Sequence, residues 1–118
     1  MTTIAPDIFR KRLLIEGFYP INVNEQKLVD YFAYITKELS LRTYGEPIVH
    51  KTSGADKEQN QGYDAFVPLV DSGIYIGVWT NRKFLSLILY TCTDFDDSLA
   101  VEKTKGFFQL SESQHQRF

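Results

Sequence analysis

The chain has 118 residues, enough for one domain with a modest core and too few for two. It is 43% hydrophobic and 14% aromatic, which argues for a folded globule and against a disordered segment. A net charge of −2 supplies no field that would draw nucleic acid or an anionic membrane, and the longest apolar run, near Leu85 to Tyr90, is far too short to span a bilayer.

Arg12 to Tyr19 is rich in β formers and reads as a strand that Pro20 interrupts. Asn22 or Asn24 can cap a helix running to about Glu38, whose Leu28, Phe32, Ile35 and Leu39 recur at helical spacing as a buried stripe. Gly45 and Pro47 mark a turn before a short strand, Ile48 to Thr52. Ser53 to Gly62 is polar, charged and glycine-bounded, the composition of a mobile loop. Tyr63 to Val70 is the next strand. Pro68 costs it a ladder hydrogen bond, so that point belongs at an edge or a bulge.

Gly73 to Trp79 alternates, with Ile74, Ile76 and Val78 on one face and Tyr75, Gly77 and Trp79 on the other. Thr80 to Lys83 makes a hairpin-type connection to Phe84–Thr91, whose Leu85, Leu87 and Leu89 share a face. Asp96 or Asp97 can cap a last helix that turns Ala100, Val101, Thr104, Phe107 and Phe108 toward the sheet. Gly106 weakens it by roughly 1 kcal/mol relative to alanine. The polar stretch from Ser111 is expected to fray, making 111–118 a flexible tail on a single domain spanning 1–118. The order β-α-β-β-β-β-α predicts an α+β fold: an antiparallel sheet with helices packed on one face.

Three segments carry possible chemistry: Asp71-Ser72-Gly73 through Trp79-Thr80, Tyr90-Thr91-Cys92-Thr93-Asp94, and Ala100-Val101-Glu102. Taken residue by residue, each has a plain alternative. Asp-Ser-Gly is a common turn, and a lone cysteine is usually a small buried hydrophobe. Aromatic residues such as Phe84 usually pack in a core, and Asp64 and Asp71 read equally well as solvated loop acids. His50 and His115 are separate and unpaired, Glu16 and Glu102 lie on regular elements, and no cluster has metal spacing.

In order and spacing the segments resemble the prokaryotic S-adenosylmethionine decarboxylases. Arg12-Leu13-Leu14-Ile15-Glu16-Gly17-Phe18-Tyr19 is similar to their opening strand, Tyr63 to Trp79 to their cleavage strand, and Thr91-Cys92-Thr93-Asp94 with Ala100 and Glu102 to their cysteine segment and final helix. The Ser72-to-Cys92 spacing matches without a gap. That family cuts itself before a serine, converts the serine to a pyruvoyl group, and uses the cysteine in processing and proton transfer. The resemblance therefore implies a sandwich of that type, S-adenosylmethionine or a derivative as ligand, and a homodimer or higher homo-oligomer with sites near the subunit boundary. It implies Ser72, Cys92, Asp71 and Asp64 as catalytic residues. It implies Tyr75, Trp79, Tyr63 and Asn81 as substrate-binding residues: the faces of Tyr75 and Trp79 could stack on adenine and attract sulfonium, and Tyr63 could orient the ligand's amine or stabilise the sulfonium.

The chain departs from the family where processing happens. Asp71 replaces a glutamate, Gly73 and Gly77 replace histidines, Asp64 replaces a serine, and Trp79-Thr80-Asn81 replaces Trp-Pro-Glu. A glycine cannot abstract a proton. The expected protein is thus a lyase acting on S-adenosylmethionine or a derived nucleotide with no cofactor, a pyruvoyl arising from Ser72 only if self-processing occurs. Two alternatives stay open: a pyruvoyl-dependent decarboxylase of polyamine synthesis, and a non-catalytic ligand sensor or partner of an active paralogue. A single cysteine excludes an internal disulfide, and no signal peptide is evident, so the cytoplasm is the expected compartment.

Overall fold

In the computed structural model, residues 4–52 and 61–118 are described, so most of the expected loop at 53–62 lies outside the described residues. The elements in order are β1 (Lys11–Phe18), α1 (Glu25–Glu38), β2 (Ile48–Thr52), β3 (Gly62–Leu69), β4 (Ser72–Trp79), β5 (Phe84–Thr91), α2 (Asp97–Phe108) and β6 (Glu112–Arg117). The strands form one antiparallel sheet in the order β2-β3-β4-β5-β1-β6. The fold is α+β, as the element order implied. No helix among the described residues is long and apolar enough to cross a membrane.

The strand register gathers the apolar residues into rows. Leu13 pairs with Leu89, Leu89 with Ile74, and Ile74 with Val67; one row along, Ile15, Leu87, Ile76 and Ala65 do the same. All eight are buried. Because side chains alternate across a strand, these rows make one wholly apolar face, and both helices pack on it. Asn24 caps α1 by accepting from the Lys27 N–H at 2.9 Å, and Asp96 caps α2 by accepting from the Leu99 N–H at 3.1 Å. The stripe Leu28, Phe32, Ile35 and Leu39 is buried, as are Ala100, Thr104 and Phe108 of α2. A hydrogen bond of 2.8 Å between Tyr31 Oη and Thr104 Oγ1 joins the helices inside the core.

Two local expectations resolve differently. Pro68 lies in register with Gly73, so no bulge forms there, but β2 pairs only with residues 62–66 and leaves Pro68 on a local edge. Its carbonyl accepts from the Tyr44 N–H at 2.8 Å. The frayed tail is a correction. Gln109 adopts a left-handed conformation (φ 56°) that ends α2 and turns the chain back, and residues 112–117 pair along β1 as β6. The Ser111 N–H donates to the Phe18 carbonyl at 2.9 Å, and the Arg12 Nε donates to the Phe118 carbonyl at 2.8 Å. Every β6 side chain is exposed, so backbone bonds hold this strand and its polar sequence carries no alternation.

Lys11 fixes where β1 meets α2. Its side chain is only 6% exposed, pairs with Asp94 at 2.9 Å and with Asp97, donates to the Phe95 carbonyl, and lies 4.4 Å from the centre of the Phe95 ring. Burial by itself lowers the ammonium pKa, but hydrogen bonds and charge from Asp94 and Asp97 outweigh it and leave the value raised. The Asp94 carboxyl is held below its usual range, first by the Lys11 hydrogen bond and then by the Phe95 N–H. A depressed carboxyl stabilises the fold above its unfolded value of 3.8 and loses that contribution as pH falls through its folded value. The raised ammonium contributes below 10.5 and loses its share as pH rises through its folded value. In thermal melts the stability difference between wild type and Lys11→Met is therefore expected to be widest between about pH 5 and pH 10 and to shrink below about pH 4. An equal difference at neutral and acid pH would show that the pairing carries no weight.

Candidate functional site

The sheet face away from the helices carries the site, and the register again sets its layout. Tyr90, Gly73 and Pro68 form one row across β5, β4 and β3. The next holds Leu14, Ile88, Tyr75 and Phe66, and the next Glu16, Ser86, Gly77 and Asp64. The last holds Phe18, Phe84, Trp79 and Gly62. Over Gly73 lies a hollow of about 430 Å³, bordered by Phe66, Ser72, Tyr75, Ile88 and Tyr90. A Cβ on Gly73 would stand 2.5 Å from Phe66 Cζ, so the Phe66 ring leans over the space that only glycine leaves. Three aromatic rings thus surround a floor with no side chain, next to Ser72.

Ser72 itself holds φ at 127°, a region L residues rarely adopt. Such a conformation costs on the order of 1–3 kcal/mol and persists only where surrounding structure imposes it. Here the constraint is the short β3–β4 connection together with Cys92, whose N–H donates to the Asp71 carbonyl at 2.7 Å. Asp71, Ser72 and Cys92 therefore meet at one end of the sheet. Cys92 is exposed. The Asp71 carboxylate faces Arg42 Nη2 at 3.4 Å with its side chain 14% exposed.

Tyr75 forms the side of the hollow toward the sheet centre. Its hydroxyl donates to Asp64 Oδ1 at 2.7 Å. Burial first, and then the Asp64 carboxylate, pushes the phenol up to about 12, so it stays protonated and fixed on Asp64 near neutral pH. Asp64 and Tyr75 are thus a joined pair on the open face, and His50 stands opposite Asp64 in the register of β2 and β3.

The remaining expected residues do not converge on this point. Tyr63 pairs with Val78, on the helix side of the sheet, and packs against the core; it faces away from its neighbour Asp64 because successive strand residues point to opposite faces. Tyr63, expected among the substrate-binding residues, therefore does not line the hollow. Trp79 ends β4 seven residues from Ser72, about 23 Å along the strand, and packs on Phe84 at 5.6 Å between ring centres. Asn81 lies in the following turn, at that same far end. Phe66 and Tyr90, neither of them among the expected site residues, supply two walls of the hollow. The alternation of β3 already places Phe66 on the Asp64 face, but only the register sets it over Gly73.

The two histidines that the resemblance implies for converting Ser72 to a pyruvoyl are absent. Eliminating the serine ester needs a group that accepts a proton, and positions 73 and 77 are glycine. Tyr75 holds its proton, and the other hollow-lining side chains apart from Ser72 are Phe66, Ile88 and Tyr90. At Gly77 a Cβ would stand 3.3 Å from Tyr75 Oη, which would have to give by a few tenths of an ångström, and in ordinary contact with the Trp79 ring at 3.5 Å. The purified protein is accordingly expected to give one full-length mass; two fragments divided at the Asp71–Ser72 bond would overturn this. Among the described residues no group of three or more potential metal ligands is gathered.

No protein-family model matches the chain, and no curated protein matches it. Among solved structures, the crystal structure of the adenosylmethionine decarboxylase from Aquifex aeolicus VF5 matches it with a TM-score of 0.73 and 16% sequence identity, covering 94% of this chain and 89% of that one. The sheet with its two helices is therefore that of the adenosylmethionine decarboxylase fold.

Proposed function

We propose that the protein binds S-adenosylmethionine, or a closely related adenosyl sulfonium, at the hollow over Gly73 and splits it as a lyase without a pyruvoyl group. The observation that carries this reading is the aromatic, nearly apolar hollow beside Ser72, with the Tyr75–Asp64 pair at its side. Aromatic faces attract a sulfonium and stack on adenine, and the Asp64 carboxylate adds negative charge nearby. The reaction that suits such a site moves no proton. The substrate's own carboxylate oxygen attacks the carbon next to sulfur; the carbon–oxygen bond forms as the carbon–sulfur bond breaks, and the electron pair stays on sulfur. Methylthioadenosine leaves as a neutral thioether, and homoserine lactone remains. The carboxylate and sulfonium charges cancel, so a poorly hydrated pocket favours the step relative to water. The protein's task is to hold the folded-back conformer and keep water out.

The fold relative supports the choice of ligand, and the glycines at 73 and 77 favour this reaction over decarboxylation. Incubation with S-adenosylmethionine and chromatography of the products is the test. Methylthioadenosine supports the lyase; carbon dioxide identifies a decarboxylase; binding without turnover identifies a ligand sensor.

A second copy of the chain is part of the proposal. Ile48, Phe66, Tyr75 and Tyr90 are each 40–54% exposed on the sheet face that no helix covers. Placing two such faces together removes both from water and closes the hollow. Sedimentation is expected to give a dimer or higher oligomer that Phe66→Asp shifts toward monomer; a monomeric wild type at about 100 µM would count against it.

A further inference from the structure

On the opposite side of the sheet, α2 overhangs β6 and leaves a groove of about 430 Å³ that the proposed reaction does not use. We propose that this groove is a second ligand site and that it takes a small amino-acid-like zwitterion with an apolar side chain. Its floor is apolar, formed by Leu13 of β1 and Val101 of α2. Its rim carries both signs of charge: Lys105, His115 and Arg117 on one hand, Glu102 on the other.

Asp97 also lines the groove, but its carboxylate is already engaged by Lys11 and by Arg117 Nε at 3.7 Å. That contact anchors the Arg117 guanidinium at the mouth. A simple anion would be drawn to Lys105 and Arg117 yet face Glu102, and a simple cation would meet three basic side chains. A molecule that carries both charges close together satisfies both sides. Its carboxylate goes to the Lys105 and Arg117 end, its ammonium to Glu102, and its side chain onto Leu13 and Val101. The volume accommodates a molecule of that size. Lys105 and Glu102 are exposed, so changing them is expected to leave the fold intact.

The test is an NMR titration of the full chain with L-leucine. Amide shifts are expected on α2 and β6, around Val101, Glu102, Lys105 and His115, with millimolar affinity. Isovalerate, which lacks the ammonium, and isoamylamine, which lacks the carboxylate, are each expected to bind at least about fivefold more weakly. Glu102→Gln and Lys105→Met should each weaken leucine by a similar factor while resonances outside the groove stay in place. The proposal is overturned by unmoved groove amides up to about 20 mM leucine, by either half-molecule binding as well as leucine, or by affinity indifferent to both substitutions. None of these outcomes depends on activity toward a sulfonium, so the two sites succeed or fail separately.

Discussion

Ser72→Ala is expected to release methylthioadenosine from S-adenosylmethionine within about threefold of the wild-type rate, whereas Asp64→Asn and Tyr75→Phe lose about 5- to 150-fold in kcat/KM. The contrast follows from the step itself. A reaction driven by the substrate's own carboxylate asks nothing of the serine hydroxyl, so its loss removes at most a minor contact. Asp64 and Tyr75 act as a pair, with the phenol donating at 2.7 Å to the carboxylate. Replacing the carboxylate by an amide removes the negative charge near the sulfonium, and replacing the phenol frees that carboxylate to move. Either change forfeits on the order of 1–3 kcal/mol of binding to the sulfonium, which is carried into kcat/KM and gives the stated range. Because the two residues share one hydrogen bond, the double variant should lose clearly less than the product of the single losses. Abolition of turnover by Ser72→Ala, with Asp64→Asn near wild type, would sink the mechanism and return the serine to the centre of the chemistry.

Phe108→Ala is expected to cost about 3–5 kcal/mol of folding stability. Phe108 is fully buried at the last turn of α2, its ring centre 4.8 Å from Tyr31 and 5.1 Å from Phe107. Removing the ring loses its transfer from water and leaves a void between the helices that Tyr31, tied to Thr104, cannot swing to fill. For a domain of ordinary stability, about 5–15 kcal/mol, this is roughly a fifth or more of the total. Phe107, one residue earlier, is only half-buried and stacks on Tyr34 at 5.2 Å, so its alanine variant should lose clearly less. Denaturant titration of the two variants decides it; equal losses would mean that α2 is not held by the face assigned to it.

Much of this molecule is written in local sequence because local forces set it. The helix stripe of Leu28, Phe32, Ile35 and Leu39 and the alternation of Gly73 to Trp79 follow from backbone periods of 3.6 and 2, which need no knowledge of neighbours. The capping residues and the hairpin after Trp79 were legible on the same terms. The resemblance also led to the fold that the solved adenosylmethionine decarboxylase shares.

What stayed hidden depends on which strand lies beside which, and in what register. β6 has no apolar alternation, because its bonds to β1 are made by backbone groups whose partners lie some 100 residues away in sequence. The placement of Tyr63 on one face and Asp64 on the other turns on a shift of a single residue. The hollow exists only because Gly73 falls between Tyr90 and Pro68 while Phe66 leans over it from the neighbouring row. Residue types named a possible ligand; cross-strand register decided which of them stand together to meet it, because the pairing of distant strands is fixed by the packing of the whole sheet and not by any one segment.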